Sequence, residues 1–256
     1  MSTAALTRRF FGRELHSRFA GSFSGGLWAL FQPLLQLAIT SFVFITVFKA
    51  RVPGADTLGY VPFLATALWP WTAFAEAVLR STTAIQDNAA LIGKVALPRE
   101  ILVFASVATS FAIHVVGFVA IILVLAFAGQ GVRLGALLPA VLLYLPLMAL
   151  ALGIALICAS VQVFVRDLVQ ALGQLLPLLM FGAPVYYSRA QLPEQYRGLL
   201  DLNPFTFYAE AFRSLLLDYG AFDFRRLAIA VAFAAVVLLL GHWLFRRLDP
   251  HFEDFL

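Results

Sequence analysis

Residues 101–128 contain no Asp, Glu, Lys or Arg. A helix crosses the hydrocarbon core of a bilayer in about 20 mainly apolar residues, so this stretch alone is long enough to do so. Five further apolar runs, at roughly 29–48, 59–79, 134–163, 168–187 and 227–245, occupy most of the remaining chain. They are continuous rather than alternating, unlike the strands of an outer-membrane barrel. Composition agrees: 62% of residues are hydrophobic and 12% charged, against about 25% charged in a soluble chain. The fold class is therefore all-α, a polytopic membrane protein with six transmembrane helices.

One domain, 1–256, accounts for the chain, with no internal repeat, linker or low-complexity tract. Residues 1–25 read as an interfacial helix: Phe11, Leu15 and Phe19 form a stripe with Arg9, Arg13 and His16 largely opposite, so the arginines would face lipid phosphate. Leu6 and Phe10 interrupt that stripe. The membrane core covers 29–245 and a cytoplasmic tail 246–256. "GQGVR" (129–133) is a tight turn that makes spans three and four a hairpin. Pro177 and Pro184 kink or break span five. Between spans five and six, "NPFTFYAEAFRSLLLDYG" (203–220) begins with an Asn-Pro turn and ends in glycine, which predicts a short helix. With Phe205, Tyr208 and Phe212 at helical spacing, it is either a re-entrant helix or an interfacial anchor.

Lysines and arginines of short loops set orientation. Arg8, Arg9, Arg13, Arg18, Arg80, Lys94, Arg99, Arg166, Arg246 and Arg247 fall on one side, and Lys49, Arg51 and Arg133 on the other. Both termini are expected to face the cytoplasm. A net charge of +4 spread in this way reflects topology rather than nucleic-acid binding.

Several chemistries are excluded. His16, His114, His242 and His251 stand alone, without a second ligand at metal spacing, so no metal site is expected. There is no G-x-S-x-G elbow. "NAALIGK" places Asn88 where a P-loop needs its first glycine, and Val95 follows the lysine, so the chain does not bind ATP through that motif. Cys158 is a single thiol within an apolar run, suited to packing. Spans one, four and five lack ionisable acids and bases in their interiors. Glu76 has Arg80 one turn later, a pair able to neutralise itself. His114 reads as a packing residue or a proton relay. Ion-coupled transport ordinarily needs acids in the path, and they are scarce here.

The spans do carry neutral polarity and aromatic rings. Gln32, Gln36 and Thr40 recur every four residues on one face of span one. Gln170 and Gln174 repeat that spacing in span five, which closes with Tyr186 and Tyr187. Span two carries Trp69, Trp71 and Phe74. Amides and flat rings suit a sugar chain; equally, glutamines bond between helices and Trp and Tyr form interface belts.

"NAALIGKVALPRE" (88–100) is too short to cross a bilayer and too apolar for a free loop. Leu91, Ile92 and Val95 surround Lys94, Asn88 can cap the helix start, and Pro98 separates it from span three. An apolar turn facing the cytosol implies a covering groove, either a partner's or this chain's own.

The stretches "RELHSRFAGSFSGGLWALFQPLLQL" (13–37), "NAALIGKVALPRE" (88–100), "VFVRDLVQ" (163–170), "APVYYSRAQLPEQYRGLLDLNPFTFYAEAFRSLLL" (183–217) and "LFRRLDPHFEDFL" (244–256) together resemble the permease subunit of ABC-2 type transporters. The resemblance is closest to the branch exporting lipid-linked polysaccharide such as O antigen, and it covers the whole length in order. It implies a bacterial inner-membrane protein that is not itself an enzyme. Two copies would pair around a channel, with two ATPase subunits below that bind ATP and Mg. The cargo would be an undecaprenyl-linked polysaccharide. The coupling helix would fall on Asn88–Leu97, taking in Leu91, Ile92, Lys94 and Val95 with Pro98 and Arg99 beyond; a second contact would fall at Arg166 and Asp167. On this reading, alanine or glutamate at Ile92 uncouples ATP hydrolysis from transport while the membrane fold stays intact. Spans one and five would flank the channel, making Gln32, Gln36, Thr40, Gln174, Tyr186 and Tyr187, with Trp69, Trp71 and Phe74, candidate lining. Asn203, Pro204, Phe205, Tyr208 and Phe212 would belong to an outer gate. A capsule or teichoic acid exporter is the neighbouring alternative; a membrane glycosyl- or acyltransferase would need a paired acid or His–Asp site that is not found.

Overall fold

The computed structural model describes residues 3–19, 27–52, 59–92 and 98–255. Among these residues every regular element is helical. In chain order they are α1 (Thr3–Phe19), α2 (Leu27–Phe42, continued by a π turn over Val43–Val47), α3 (Tyr60–Thr82) and the one-turn α4 (Ala89–Ile92) after a 3₁₀ turn at Gln86–Asn88. Then come α5 (Glu100–Phe127), α6 (Leu137–Leu142), α7 (Tyr144–Gln162) and α8 (Leu168–Phe181). The chain closes with the one-turn α9 (Glu194–Arg197), α10 (Phe205–Leu217), α11 (Phe224–Leu248) and a 3₁₀ tail at Asp249–Asp254.

Among the described residues, three of the six expected spans have both the length and the apolarity to cross a bilayer: Glu100–Phe127, Leu134–Gln162 and Phe224–Asp254. Shorter apolar helices stand at Phe31–Val47 and Leu168–Phe181. Although α3 has 23 residues, its Trp, Thr, Glu76 and Arg80 make it less apolar. The fifth span differs most from expectation. Helix α8 stops at Phe181 after 14 residues, about 21 Å at 1.5 Å per residue, which is short of the ~30 Å hydrocarbon core. Pro184 cannot continue the hydrogen-bond ladder, so 182–188 is a chain of turns.

Helix α3 is the buried centre, packed by α5, α7, α10, α2 and α8. Phe63, Leu64, Ala65, Trp69, Ala73 and Ala77 are almost fully enclosed. Helix α11 lies outside, against α7. Its Ile229, Phe233, Val236, Leu239, Leu240 and Trp243 remain exposed, as expected of a face that meets lipid. The α7–α11 seam is held close by two glycines. A Cβ added to Gly241 would stand 2.3 Å from the Gly153 carbonyl oxygen, and one on Gly153 would stand 2.6 Å from the Leu238 nitrogen. Small residues of this kind let membrane helices meet backbone to backbone. At 129–133, Gly129 (φ 71°) and Gly131 (φ 69°) take the left-handed conformation that closes the α5–α6 turn.

Contacts sort the loops into two ends. At one end Asn88 meets Arg13 of α1, Gln86 meets Gln162, and Arg99 meets the tail at Asp249. At the other, Tyr60 reaches the Tyr186 carbonyl and Arg133 meets Asp218. The N-terminal helix and the C-terminal tail therefore share one end.

Candidate functional site

The terminus-bearing end departs from expectation in several side chains. Ile92 is 6% exposed and joins this chain's own hydrophobic core, while Leu91 is half-buried. The apolar turn is thus covered from within at Ile92, and that side chain is not an open docking handle. A carboxylate there would lie in the core, so Ile92→Glu would not leave the fold intact. Asn88 does not cap a helix start: its amide donates back to the Ala84 carbonyl at 2.8 Å and its oxygen accepts from Arg13. Lys94 and Val95 lie outside the described residues. Pro98 is exposed. Arg99 is engaged within the chain, donating to the Asp249 carbonyl (2.5 Å) and carboxylate (3.1 Å) and to Glu253. Arg166 and Asp167 are exposed in the turn before α8.

Charges on α1, α3 and α5 form one cluster that spacing alone did not reveal. Glu76 pairs with Arg18, 58 positions away, at 2.8 Å and with His114 Nε2 at 2.7 Å. Arg80 instead meets Glu14 at 3.6 Å. The expected Glu76–Arg80 pair is replaced because better-placed partners approach from α1 and α5. Arg18 also donates to Ser110 at 2.5 Å and is turned inward. His114 is tied to a carboxylate rather than simply packed.

The exposed sides of α2 and α8, taken together as the α2–α8 face, adjoin where Phe44 of the π turn stacks on Tyr186 after α8. Gln32 and Gln174 are exposed and Thr40 half-buried. Gln36 is half-buried, and the Tyr186 hydroxyl donates to the Met180 sulfur at 3.5 Å. Tyr187 donates to the Phe181 carbonyl at 2.8 Å. Where the π turn meets α3 and the segment after α8 stands an aromatic column. Phe44 lies between Tyr60 (5.5 Å, 12° between planes) and Tyr186 (5.7 Å, 10°), and Tyr186 in turn meets Phe181 at 5.4 Å. Phe44 was legible, since it extends the 32, 36, 40 stripe by one more turn of four. Its π turn is a distortion common at functional positions. Trp69, Trp71 and Phe74 do not belong to this face. They are 2%, 4% and 5% exposed, with Trp69 Nε1 donating to the His114 carbonyl at 2.9 Å and Trp71 edge-on to Phe205 at 4.9 Å. They tie α3 to α5 and α10.

At the far end, α10 begins after the Asn-Pro turn as expected and ends where Asp218 (φ 55°) turns left-handed. Asn203 accepts from the Phe205 amide (3.0 Å) and donates to the Leu179 carbonyl (2.7 Å), joining α10 to α8; Pro204 stands at the helix N-cap position. Phe205, Tyr208 and Phe212 are at most 1% exposed. They are core of a helix packed on α3, which removes the interfacial-anchor reading. One turn on, the sequence reading passed over Arg213, which is 1% exposed. Its guanidinium donates to the carbonyls of Phe63 (3.1 Å), Pro184 (2.5 Å), Val185 (2.6 Å) and Tyr187 (3.4 Å), and lies 3.5 Å over the Phe63 ring. Non-helical backbone inside a membrane protein must find partners within the protein; this one side chain supplies them for 184, 185 and 187, and the Tyr60 hydroxyl supplies 186. No sequence signal distinguishes such an arginine from a solvated loop charge. Nearby, Arg189 bridges Asp201 (2.5 Å) and Glu210 (2.7 Å). Its hydrogen bonds hold the Asp201 carboxyl below the usual carboxylate range.

Comparison of the sequence with known proteins places the chain. The family model described as ABC-2 type transporter matches residues 6–217. An "O-antigen export system permease protein RfbA" of Myxococcus xanthus is 30% identical over 94% of this chain and 92% of its own. A protein of the same name from Klebsiella pneumoniae is 24% identical over 95% and 92%. The "Polysialic acid transport protein KpsM" of Escherichia coli is 26% identical over 92% and 90%. Taken with an all-helical, membrane-suited structure, these matches establish that the chain belongs to the ABC-2 type transporter family, as a permease subunit rather than an enzyme.

Proposed function

We propose that this chain is the membrane permease of an ATP-driven exporter that moves lipid-linked polysaccharide of the O-antigen kind across the bacterial inner membrane. Its six spans would place both termini in the cytoplasm, where short-loop arginines concentrate. Two copies would assemble with two ATPase subunits that bind ATP and Mg. The α2–α8 face would line the path. Exposed Gln32 and Gln174 offer hydrogen bonds to hydroxyls, and the Tyr60–Phe44–Tyr186 column offers ring faces. The observation that carries this reading is that column of rings, in a chain similar along nearly its full length to named export permeases. The capsular alternative shares every one of these features and differs in the glycan carried.

The reading is tested in cells lacking the chain. Surface glycan should disappear and lipid-linked glycan should build up at the cytoplasmic face, with the wild-type chain restoring export. Phe44→Ala and Tyr186→Ala should lower restored export about tenfold, the scale of one lost aromatic contact, with the ATPase subunit still co-purifying. Unchanged surface glycan after deletion contradicts the proposal.

A further inference from the structure

The C-terminal tail and one pair of amides, buried Gln162 and half-buried Gln86, join parts of the terminus-bearing end that are remote in sequence. Gln162 is 2% exposed and uses its whole amide. Its nitrogen donates to the Arg166 carbonyl (2.9 Å) and the Gln86 side-chain oxygen (3.3 Å), and its oxygen accepts from the Val169 amide (2.9 Å). Gln86 returns a bond to the Gln162 carbonyl at 3.1 Å. The 86–92 segment and the 163–167 turn are therefore laced together, and the lacing continues into the first turn of α8.

The tail makes a second tie. Phe252 is fully buried, 5.3 Å edge-on to Phe245 and 6.1 Å from Phe164 of the turn, while Phe255 stands 4.8 Å edge-on to Phe164. On its other side the tail holds Arg99 through Asp249 and Glu253. So 249–255 spans from the start of α5 to the turn before α8. Folding the tail back in this way orders residues at an entropic cost that a passive terminus would avoid.

We infer that the Gln86–Gln162 pair and the tail bind the 86–92 segment, the 163–167 turn and the start of α5 into one rigid unit, with Gln162 and Phe252 as positioning residues. A push from the ATPase subunit at either segment then reaches α8, and with it the α2–α8 face, as movement of a whole body. This inference rests on the ATP-driven reading above. Packed interfaces move as units rather than deforming continuously.

The test uses the complete transporter with its ATPase subunits, in which Cys158, a buried free thiol, is replaced by serine. Gln86→Cys and Gln162→Cys together remove the amide pair, and a short bifunctional thiol reagent restores the link. Before bridging, glycan exported per ATP hydrolysed should fall at least about fivefold, since each of the amide hydrogen bonds removed is worth about 1 kcal/mol net; after bridging, which restores the 86–162 link, it should recover in large part. Phe252→Ala should show the same fall and Phe252→Leu should regain most of it. Export blocked by bridging, or full coupling before bridging, overturns the inference. If the parent complex fails to export with ATP under the same conditions, it is the proposed function that fails instead.

Discussion

Replacing Arg213 with leucine is expected to cost the chain most of its folded stability. The change leaves the carbonyls of Pro184, Val185 and Tyr187 without this donor, while that of Phe63 keeps the Thr66 hydroxyl. Each buried carbonyl left unsatisfied costs about 1–3 kcal/mol, and the sum is comparable with the total stability of about 5–15 kcal/mol typical of a domain. The damage would start locally, because the bonds hold the turns that carry Tyr186 and Tyr187. Arg213→Lys keeps the charge but has no planar fork to reach four acceptors, so an intermediate loss is expected. Thermal unfolding in detergent, followed by size-exclusion behaviour, measures both. An Arg213→Leu chain as stable as the parent would mean that 182–188 is held by something other than this guanidinium.

A second large effect is expected from a single methyl group. In Gly241→Ala the added Cβ would stand 2.3 Å from the Gly153 carbonyl oxygen, inside any tolerable contact, and the obstacle is backbone rather than a flexible side chain. The helices α7 and α11 must separate, losing contact along most of their shared length. Overpacking a tight core costs about 1–3 kcal/mol and occasionally more; the backbone clash places this site at the upper end. Gly173→Ala is the control, because nothing lies within 4 Å of its added Cβ, and there alanine's helix propensity should leave stability equal or slightly higher. Equal melting behaviour of the two variants would contradict the close seam.

Most helix positions were legible because membrane-length apolarity is a signal summed over about 20 residues, and no single residue can mislead it. The hairpin turn at Gly129 and Gly131 and the Asn-Pro start of α10 were legible for a different reason, since each is a local stereochemical requirement. Pro184 marked the place where span five breaks, but not that the helix would already end at Phe181. What could not be read depends on partners distant in the chain. Glu76 had a plausible partner at Arg80, and nothing in the spacing showed that Arg18 and His114 would reach it first. Ile92 sits in a pattern that fits an outward handle or an inward plug equally well, and packing against the rest of the chain decided for the plug. Trp69, Trp71 and Phe74 share a motif with pore aromatics yet serve α3 as core, because α5 and α10 close over that side of the helix.

On the proposed function, this permease exports glycan only when a nucleotide-hydrolysing companion drives it. The most direct measurement places the purified chain in sealed vesicles with lipid-linked glycan on one face and follows its arrival on the other. Glycan should cross only when the ATPase subunit and hydrolysable ATP are both present, and should stop when a non-hydrolysable analogue replaces ATP. Crossing at the same rate by the chain alone would contradict the account.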